Sequence, residues 1–230
     1  MTLKADLKAE VYKIVRSVWS TRNGVVIPDD QSVTLGNDAV EIDATVLYAD
    51  LADSTDMVNK YTPGFAAEVY KAFLHCCAKI IRSEGGEITA YDGDRIMAVY
   101  LGDSKNTSAV RTSMKINWAA RHIVQTAFNE VYSGTQFDLR HVCGVDTSKL
   151  FVAKTGVRGA NDLVWVGRAA NYAAKLAAMQ HSRQSYITES VYNNMNDVVK
   201  WSDGKNMWEA CGDLKGTAIY SSTWWWSLAD

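Results

Sequence analysis

The stretch EITAYDGDRIMAVY, residues 87–100, leaves the backbone few choices. Two runs rich in β-branched and aromatic residues flank Asp-Gly-Asp, so 87–91 and 95–100 read as antiparallel strands closed by a tight acidic turn. Asp-Gly is a common hairpin turn and needs no chemistry to explain it. A second acidic cluster, VLYADLADSTD at 46–56, gives it a different weight. There Val46, Leu47, Tyr48 and Ala49 make a buried-strand run, and Asp50 falls where that strand should end. Ser54 and Thr55 follow as helix N-cap candidates ahead of a long periodic segment. Strand ends facing helix N-termini suit anions, because free backbone N–H groups and the helix dipole point at the ligand. Asp50 and Asp94 can therefore hold a divalent cation, and the cation a phosphate.

The remaining chain alternates strand and helix signals. Further strands are expected at 41–49, 137–146, 150–154, 162–167 and 185–188, and helices at 63–83, 106–131 and 168–180. Leu3, Leu7, Val11, Ile14, Val15 and Val18 define an amphipathic helix over 3–19, able to pack on its own domain or on a partner copy. The tail from 197 to 226 reads as short strands, with Trp224, Trp225 and Trp226 as a packed edge. No Pro- or Gly-rich linker divides the 230 residues, which implies a main domain over 41–230 behind an N-terminal helix and extension over 1–40. A net charge of −2 provides no basic field for nucleic acid. No apolar run approaches the roughly 20 residues of a membrane span. The opening MTLKADLKAEVYK is too polar for a secretory signal, and Cys76, Cys77, Cys143 and Cys211 lack metal-ligand spacing. A cytoplasmic protein with reduced thiols is the expectation.

Three motifs in order, VLYADLADST, GGEITAYDGDRIMAVY and LRHVCGVDTSKLFVAKTGVRGANDLVWVGRAANYAAKLAAM, resemble the catalytic domain of class III nucleotidyl cyclases over about residues 41–220. The resemblance implies an α+β, ferredoxin-like fold with a mainly antiparallel central sheet flanked by helices. It implies that Asp50, Asp94 and the backbone carbonyl of Leu51 hold two divalent ions, Mn²⁺ or Mg²⁺. Those ions would polarise a ribose 3′-hydroxyl and neutralise a triphosphate. Attack of O3′ on the α-phosphorus would then close a cyclic 3′,5′-monophosphate. Ala52 to Thr55, with Ser54 and Thr55 opening a helix, would cradle the outer phosphates. Asp92 falls outside the metal pattern and is read as a turn former.

On the other half of the site, Asn171 matches the family's ribose-positioning asparagine, and Lys175 stands where the family usually has Arg. Positions i and i+4 share a helix face, so both can reach one substrate, although Lys lacks the bidentate fork of Arg. Arg158 and Lys215 match triphosphate-contacting positions less closely and are equally readable as surface charges. In this family the metal aspartates of one protomer face the Asn of the other, which implies a homodimer with its active sites at the interface.

The base pocket departs most from the family. Adenylate cyclases carry Lys, and guanylate cyclases Glu, at the place of Ala90, and a second polar selector is replaced by Val164. Buried polar groups reject a base that leaves them unpaired, and apolar groups cannot do so. Tyr48, bulkier than the Phe common there, would narrow the pocket towards a pyrimidine nucleoside triphosphate. In this respect the chain resembles the pyrimidine cyclases of bacterial antiphage (Pycsar) systems, with UTP as the expected substrate and a cyclic nucleotide read by a separate effector. Cytidylate, adenylate or guanylate cyclisation and a non-catalytic dimerisation or sensing domain remain the alternatives.

Overall fold

The computed structural model describes residues 2–228. The elements begin with α1 (Leu3–Arg16), β1 (Ser20–Asn23), β2 (Asp38–Leu51), α2 (Ser54–Lys60), α3 (Pro63–Ser83), β3 (Glu87–Asp92) and β4 (Arg95–Tyr100). After them come α4 (Lys105–Ala119), α5 (Gln125–Val131), β5 (His141–Val157), β6 (Ala160–Val166), α6 (Arg168–Ala177), β7 (Ser185–Thr188) and α7 (Glu189–Asn194). Four short strands close the chain: β8 (Trp201–Ser202), β9 (Lys205–Asn206), β10 (Glu209–Leu214) and β11 (Thr217–Ser222). They divide into a larger compact unit, Ala44–Ser148 with the residues from Arg168 onward, and a smaller one of the residues up to Asp43 with Lys149–Gly167.

In the larger unit the strands run β10-β11-β7-β5-β2-β4-β3, antiparallel except for the parallel pair β5–β7. Period-two alternation explains which face is covered. Leu47, Ala49 and Leu51 of β2 and Ile96, Ala98 and Tyr100 of β4 all enter the core. There they meet Phe65, Val69, Phe73, Cys77, Ile80 and Ile81 of α3, a stripe at helical spacing. Thr62 caps α3 by accepting from the Phe65 N–H at 3.3 Å, and Pro63 fills a first-turn position whose N–H would have no partner. On β5, a Cβ added at Gly144 would lie 2.2 Å from the Ala173 carbonyl oxygen, so only glycine lets α6 pack this closely. The expected α+β architecture is what the chain adopts.

Several elements differ from the sequence reading. The two strands expected at 137–146 and 150–154 are one, β5, and within it Thr147 Oγ1 donates to the Ala44 carbonyl at 3.2 Å. The helix expected over 106–131 is interrupted by a π-helical segment, Ala120–Val124, between α4 and α5. β1 and α7 were not anticipated, since four and six residues give too little periodicity to find, whereas α2 is the helix Ser54 and Thr55 were expected to begin, with Asp53 rather than either of them at the N-cap. Trp224 to Trp226 follow β11 outside any strand, held where Asn117 Nδ2 donates to the carbonyls of Thr223 and Trp224 at 3.1 and 3.0 Å.

In the smaller unit, β1 pairs parallel to β2 and β6 pairs antiparallel to β5. Trp19 meets Phe151 edge-on, with ring centroids 4.9 Å apart. The expected N-terminal helix stops at Arg16, where Asn37 Nδ2 donates to the carbonyls of Ile14 and Ser17. None of its residues is buried, so the apolar stripe of Leu3, Leu7, Val11, Ile14 and Val15 is left exposed rather than packed on its own domain.

Candidate active site

Antiparallel pairing of β2 with β4 sets Asp50 opposite Arg95, at the end of the sheet where the β3–β4 turn closes. Gly93 supplies a φ of 62° in that turn, which brings Asp94 back over the strand end. Opposite residues on neighbouring strands share a face, so Tyr48, Met97 and Ala90 form one row and Asp50, Arg95 and Asp92 the next. This face lies opposite to the one buried by α3.

The two carboxylates are electrostatically unsettled. Burial and, after it, the Asp94 charge push the Asp50 carboxyl up to about 6. Asp94 Oδ2 is buried and has no hydrogen-bond partner. A buried carboxylate oxygen without a donor is costly, and a second carboxylate beside it adds to the cost. A hard cation resolves both problems, because it ligates oxygen and neutralises the pair. Asp50, Asp94 and the end of β2 at Leu51 therefore fit such an ion. Among the described residues no group of three or more His, Cys, Asp or Glu side chains forms a ready cage. Further ligands would have to come from backbone and substrate.

Two residues of this corner escaped the sequence reading. Arg95 donates to Asp92 at 2.5 Å, and its guanidinium lies 5.8 Å from the Tyr48 ring centroid. Asp92 is thus the last residue of β3 and the partner of Arg95, not merely a turn former. The other is Thr89. The β3–β4 register shifts between Ile88 and Ala90, and Thr89, the residue at that irregularity, carries a buried hydroxyl without a partner. A bulge re-aims side chains, so counting back from Asp94 identifies the Ala90 position less securely than a regular strand would allow. The alternation of residues in the sequence does not reveal this bulge.

Asn171 and Lys175 are exposed on α6, one turn apart. A clamp anchored on the buried Asp146 sets that helix in place. Arg168 donates to Asp146 at 3.0 and 3.2 Å and to the Thr147 carbonyl at 2.8 Å, while Ser148 Oγ accepts from the Ala169 N–H at 2.9 Å. The proximity of Lys215 lowers the Lys175 ammonium below the ordinary lysine range. Lys215 sits in the β10–β11 turn with φ 51°. Two lysines thus share one surface, as an anion site requires. Ser54 and Thr55 open α2 just past Asp50. Asp53 precedes them at φ 58° and accepts from Arg140 at 3.2 Å.

The lysines are far from the carboxylates of the same chain. The Ala52 N–H donates to the Arg140 carbonyl, so β5 begins beside the end of β2. β7 starts at that same end, with Ser185 opposite Cys143, and antiparallel β11 reaches it only at Ser222. The Lys215 turn is therefore at the opposite end of the sheet. Three strand spacings give about 14 Å across, and the length of β11 gives about 17 Å along, so Asp50 and Lys215 are separated by roughly 20 Å of sheet. Arg158 and Val164 belong to the smaller unit, at the β5–β6 turn and opposite Ala153 on β6. There both line a cavity of about 510 Å³ with Glu10, Lys13 and Trp19.

No protein-family model matches the chain. It is 52% identical to a uridylate cyclase of Xanthomonas perforans over 99% of this chain and 100% of that one. A uridylate cyclase of Burkholderia cepacia is 48% identical with the same coverage, and one of Rhodovulum sp. (strain MB263) is 36% identical over 98% of each. Among solved structures, the adenylyl cyclase CyaB from P. aeruginosa superposes with a TM-score of 0.67 at 20% identity, over 80% of this chain and 95% of that one. The guanylyl cyclase Cya2 gives 0.64 at 18% identity, over 79% and 91%. These structural likenesses establish a shared fold.

Proposed function

The chain belongs to the uridylate cyclase family, and from that premise we propose that it converts UTP to cyclic 3′,5′-UMP and pyrophosphate, at sites completed between two copies of itself. The observation that carries this reading is the buried, partnerless oxygen of Asp94 beside an Asp50 carboxyl raised to about 6. Two Mn²⁺ or Mg²⁺ ions held by Asp50, Asp94 and the Leu51 carbonyl would supply charge neutralisation of the triphosphate and polarisation of the 3′-hydroxyl.

Each remaining task falls to a side chain of the protein. Asn171 orients the ribose so that O3′ lies in line with the α-phosphorus; the O3′–P bond forms as the bond to the bridging oxygen breaks, pyrophosphate leaves and the 3′-hydroxyl proton passes to solvent. Lys175, in place of the family's Arg, stabilises the charge on that phosphorus. Lys215, Ser54 and Thr55 hold the outer phosphates. Tyr48, with Arg95 against its ring, and Ala90 and Thr89 bound the base. The separation of Asp50 from Lys215 across the sheet supports a two-fold homodimer, in which the aspartates of one copy meet the lysines of the other.

The product acts as a second messenger in bacterial antiphage defence, read by a separate effector, and the enzyme works in the cytoplasm. No helix among the described residues is long and apolar enough to cross a membrane. Incubation of the purified chain with Mn²⁺ and equal amounts of UTP, CTP, ATP and GTP, with chromatography of the products, tests the reading. Cyclic UMP should dominate. Cyclic CMP in excess would overturn the choice of uracil, a purine product the pyrimidine pocket, and no product from any of the four would favour a non-catalytic domain.

A further inference from the structure

In the larger unit a cavity of about 600 Å³ is lined by none of the residues given a part in cyclisation. Its walls come from the end of α4, the π-helical segment, the start of β5, the α6–β7 loop and the tryptophan tail. Five buried side-chain atoms without a hydrogen-bond partner occur among the described residues, and three belong to this lining: Asn117 Oδ1, His141 Nε2 and Gln184 Oε1. Each missing bond is a cost that folding alone does not explain.

The amide orientations follow from the bonds that are made. Asn117 Nδ2 donates to the Thr223 and Trp224 carbonyls, and Gln184 Nε2 to the His181 carbonyl at 3.4 Å. Both remaining oxygens are therefore acceptors awaiting donors. His141 is fully enclosed; burial first, and the Arg121 charge second, lower it to about 4, so its ring is neutral at pH 7.

The other wall is aromatic and cationic. Ala120, Arg121 and His122 are consecutive residues of the π-helical segment, a rare geometry found mostly where function requires it. The Arg121 guanidinium lies 5.4 Å from the Trp225 ring centroid, and His122 lies 5.1 Å from Trp118 and 6.0 Å from Trp225. Trp225 is 48% exposed, a large apolar ring left partly uncovered. Among the described residues no carboxylate pairs with Arg121, whereas Arg140 is already engaged by Asp138 and Asp53.

We propose that this cavity is a second ligand site, built for a nucleoside monophosphate. A planar base stacks on Trp225 and its phosphate meets Arg121, while its N–H groups reach the enclosed oxygens of Asn117 and Gln184 through a small shift of the side chains that cover them. The volume lies within the range of small-molecule sites, and aromatic stacking with a few convergent polar groups is how such sites recognise a base. Arg140 joins this lining to the catalytic end of the sheet, since its side chain bonds Asp53 and its carbonyl accepts from Ala52. The inference is independent of the chemistry at Asp50 and Asp94.

Isothermal titration of the full chain in EDTA, with UMP, CMP, AMP and GMP in turn, tests it without cations that would recruit nucleotide to Asp50 and Asp94. At least one should bind once per chain with a Kd below about 1 mM. Arg121→Ala and Trp225→Ala, both at exposed positions that tolerate substitution, should each weaken that binding about tenfold or more. Asp94→Asn should leave it unchanged within about twofold. Absence of binding by all four at about 10 mM would overturn the proposal and leave the cavity to water. Inorganic phosphate binding as tightly as the best nucleotide would overturn the nucleoside part, and loss of binding in Asp94→Asn would move the ligand to the catalytic site.

Discussion

The β3–β4 corner and the α6 surface are the two halves of the proposed site, and they are unsettled in opposite senses. At the corner, carboxylates are partly buried against each other, one with an oxygen that nothing satisfies. At the other half, Lys175 of α6 and Lys215 of the β10–β11 turn crowd each other in the open. The corner carries an excess of negative charge, its Arg95 already bonded to Asp92, and the lysine surface an excess of positive charge. A metal-bound triphosphate offsets both, and two copies of the chain can each provide what the other's half is missing. Residual electrostatic cost thus singles out both as candidate halves before any ligand is present.

The largest effect is expected where the cost is greatest. Asp94→Ala should lower cyclase activity by about a thousandfold, because several kcal/mol of charge stabilisation go with the ion. It should not lower the melting temperature in EDTA, since it removes one of two repelling charges. An unfolded variant, seen by circular dichroism, would show instead that Asp94 is structural.

Mixing two inactive chains, Asp50→Ala and Asn171→Ala, probes whether the halves meet between copies. Random exchange makes half of the dimers mixed, each with one intact site, so about a quarter of wild-type activity should return. No recovery after exchange is demonstrated by native mass spectrometry would put both halves in one chain.

On the lysine side, Lys175→Ala should cost about a hundredfold in kcat with a smaller change in KM, as expected of a group acting mainly on the transition state. In Lys215→Ala, the Lys175 ammonium should titrate at higher pH, measurable by NMR of the labelled side chain, because its repulsive neighbour is gone. If it does not move, the two lysines do not share a surface.

Tyr48→Ala should shift the UTP-to-ATP ratio of kcat/KM by about tenfold towards ATP, a change typical of pocket volume. The smallest effect concerns stability. The Asp50 carboxyl holds its proton to about pH 6 in the fold, against 3.8 for the free group. The folded chain then binds more protons than the unfolded chain between those values, and stability in EDTA falls as pH rises from about 4 to 6. Asp50→Asn should flatten that slope, which urea titrations across the range would detect.

Much of this could be read from the chain. The hairpin at 87–100, the strand ending at Asp50 and the helix over 63–83 depend on local alternation, turn chemistry and capping, which neighbouring residues settle among themselves. The positions of Asp50 at a strand end, Asp94 in the hairpin and Asn171 and Lys175 on one helix were legible because the motifs carrying them are local too. The pairing of Arg95 with Asp92 against Tyr48, the bulge at Thr89, the Asp146–Arg168 clamp and the nearness of Lys175 to Lys215 were not. Each depends on strand register or on contacts between segments distant in sequence, and a one-residue slip would send the same side chains to the other face. The cavity at Asn117, His141 and Gln184 is the extreme case, assembled from segments far apart in sequence whose polar atoms look ordinary there and become costly only once packing removes water from around them.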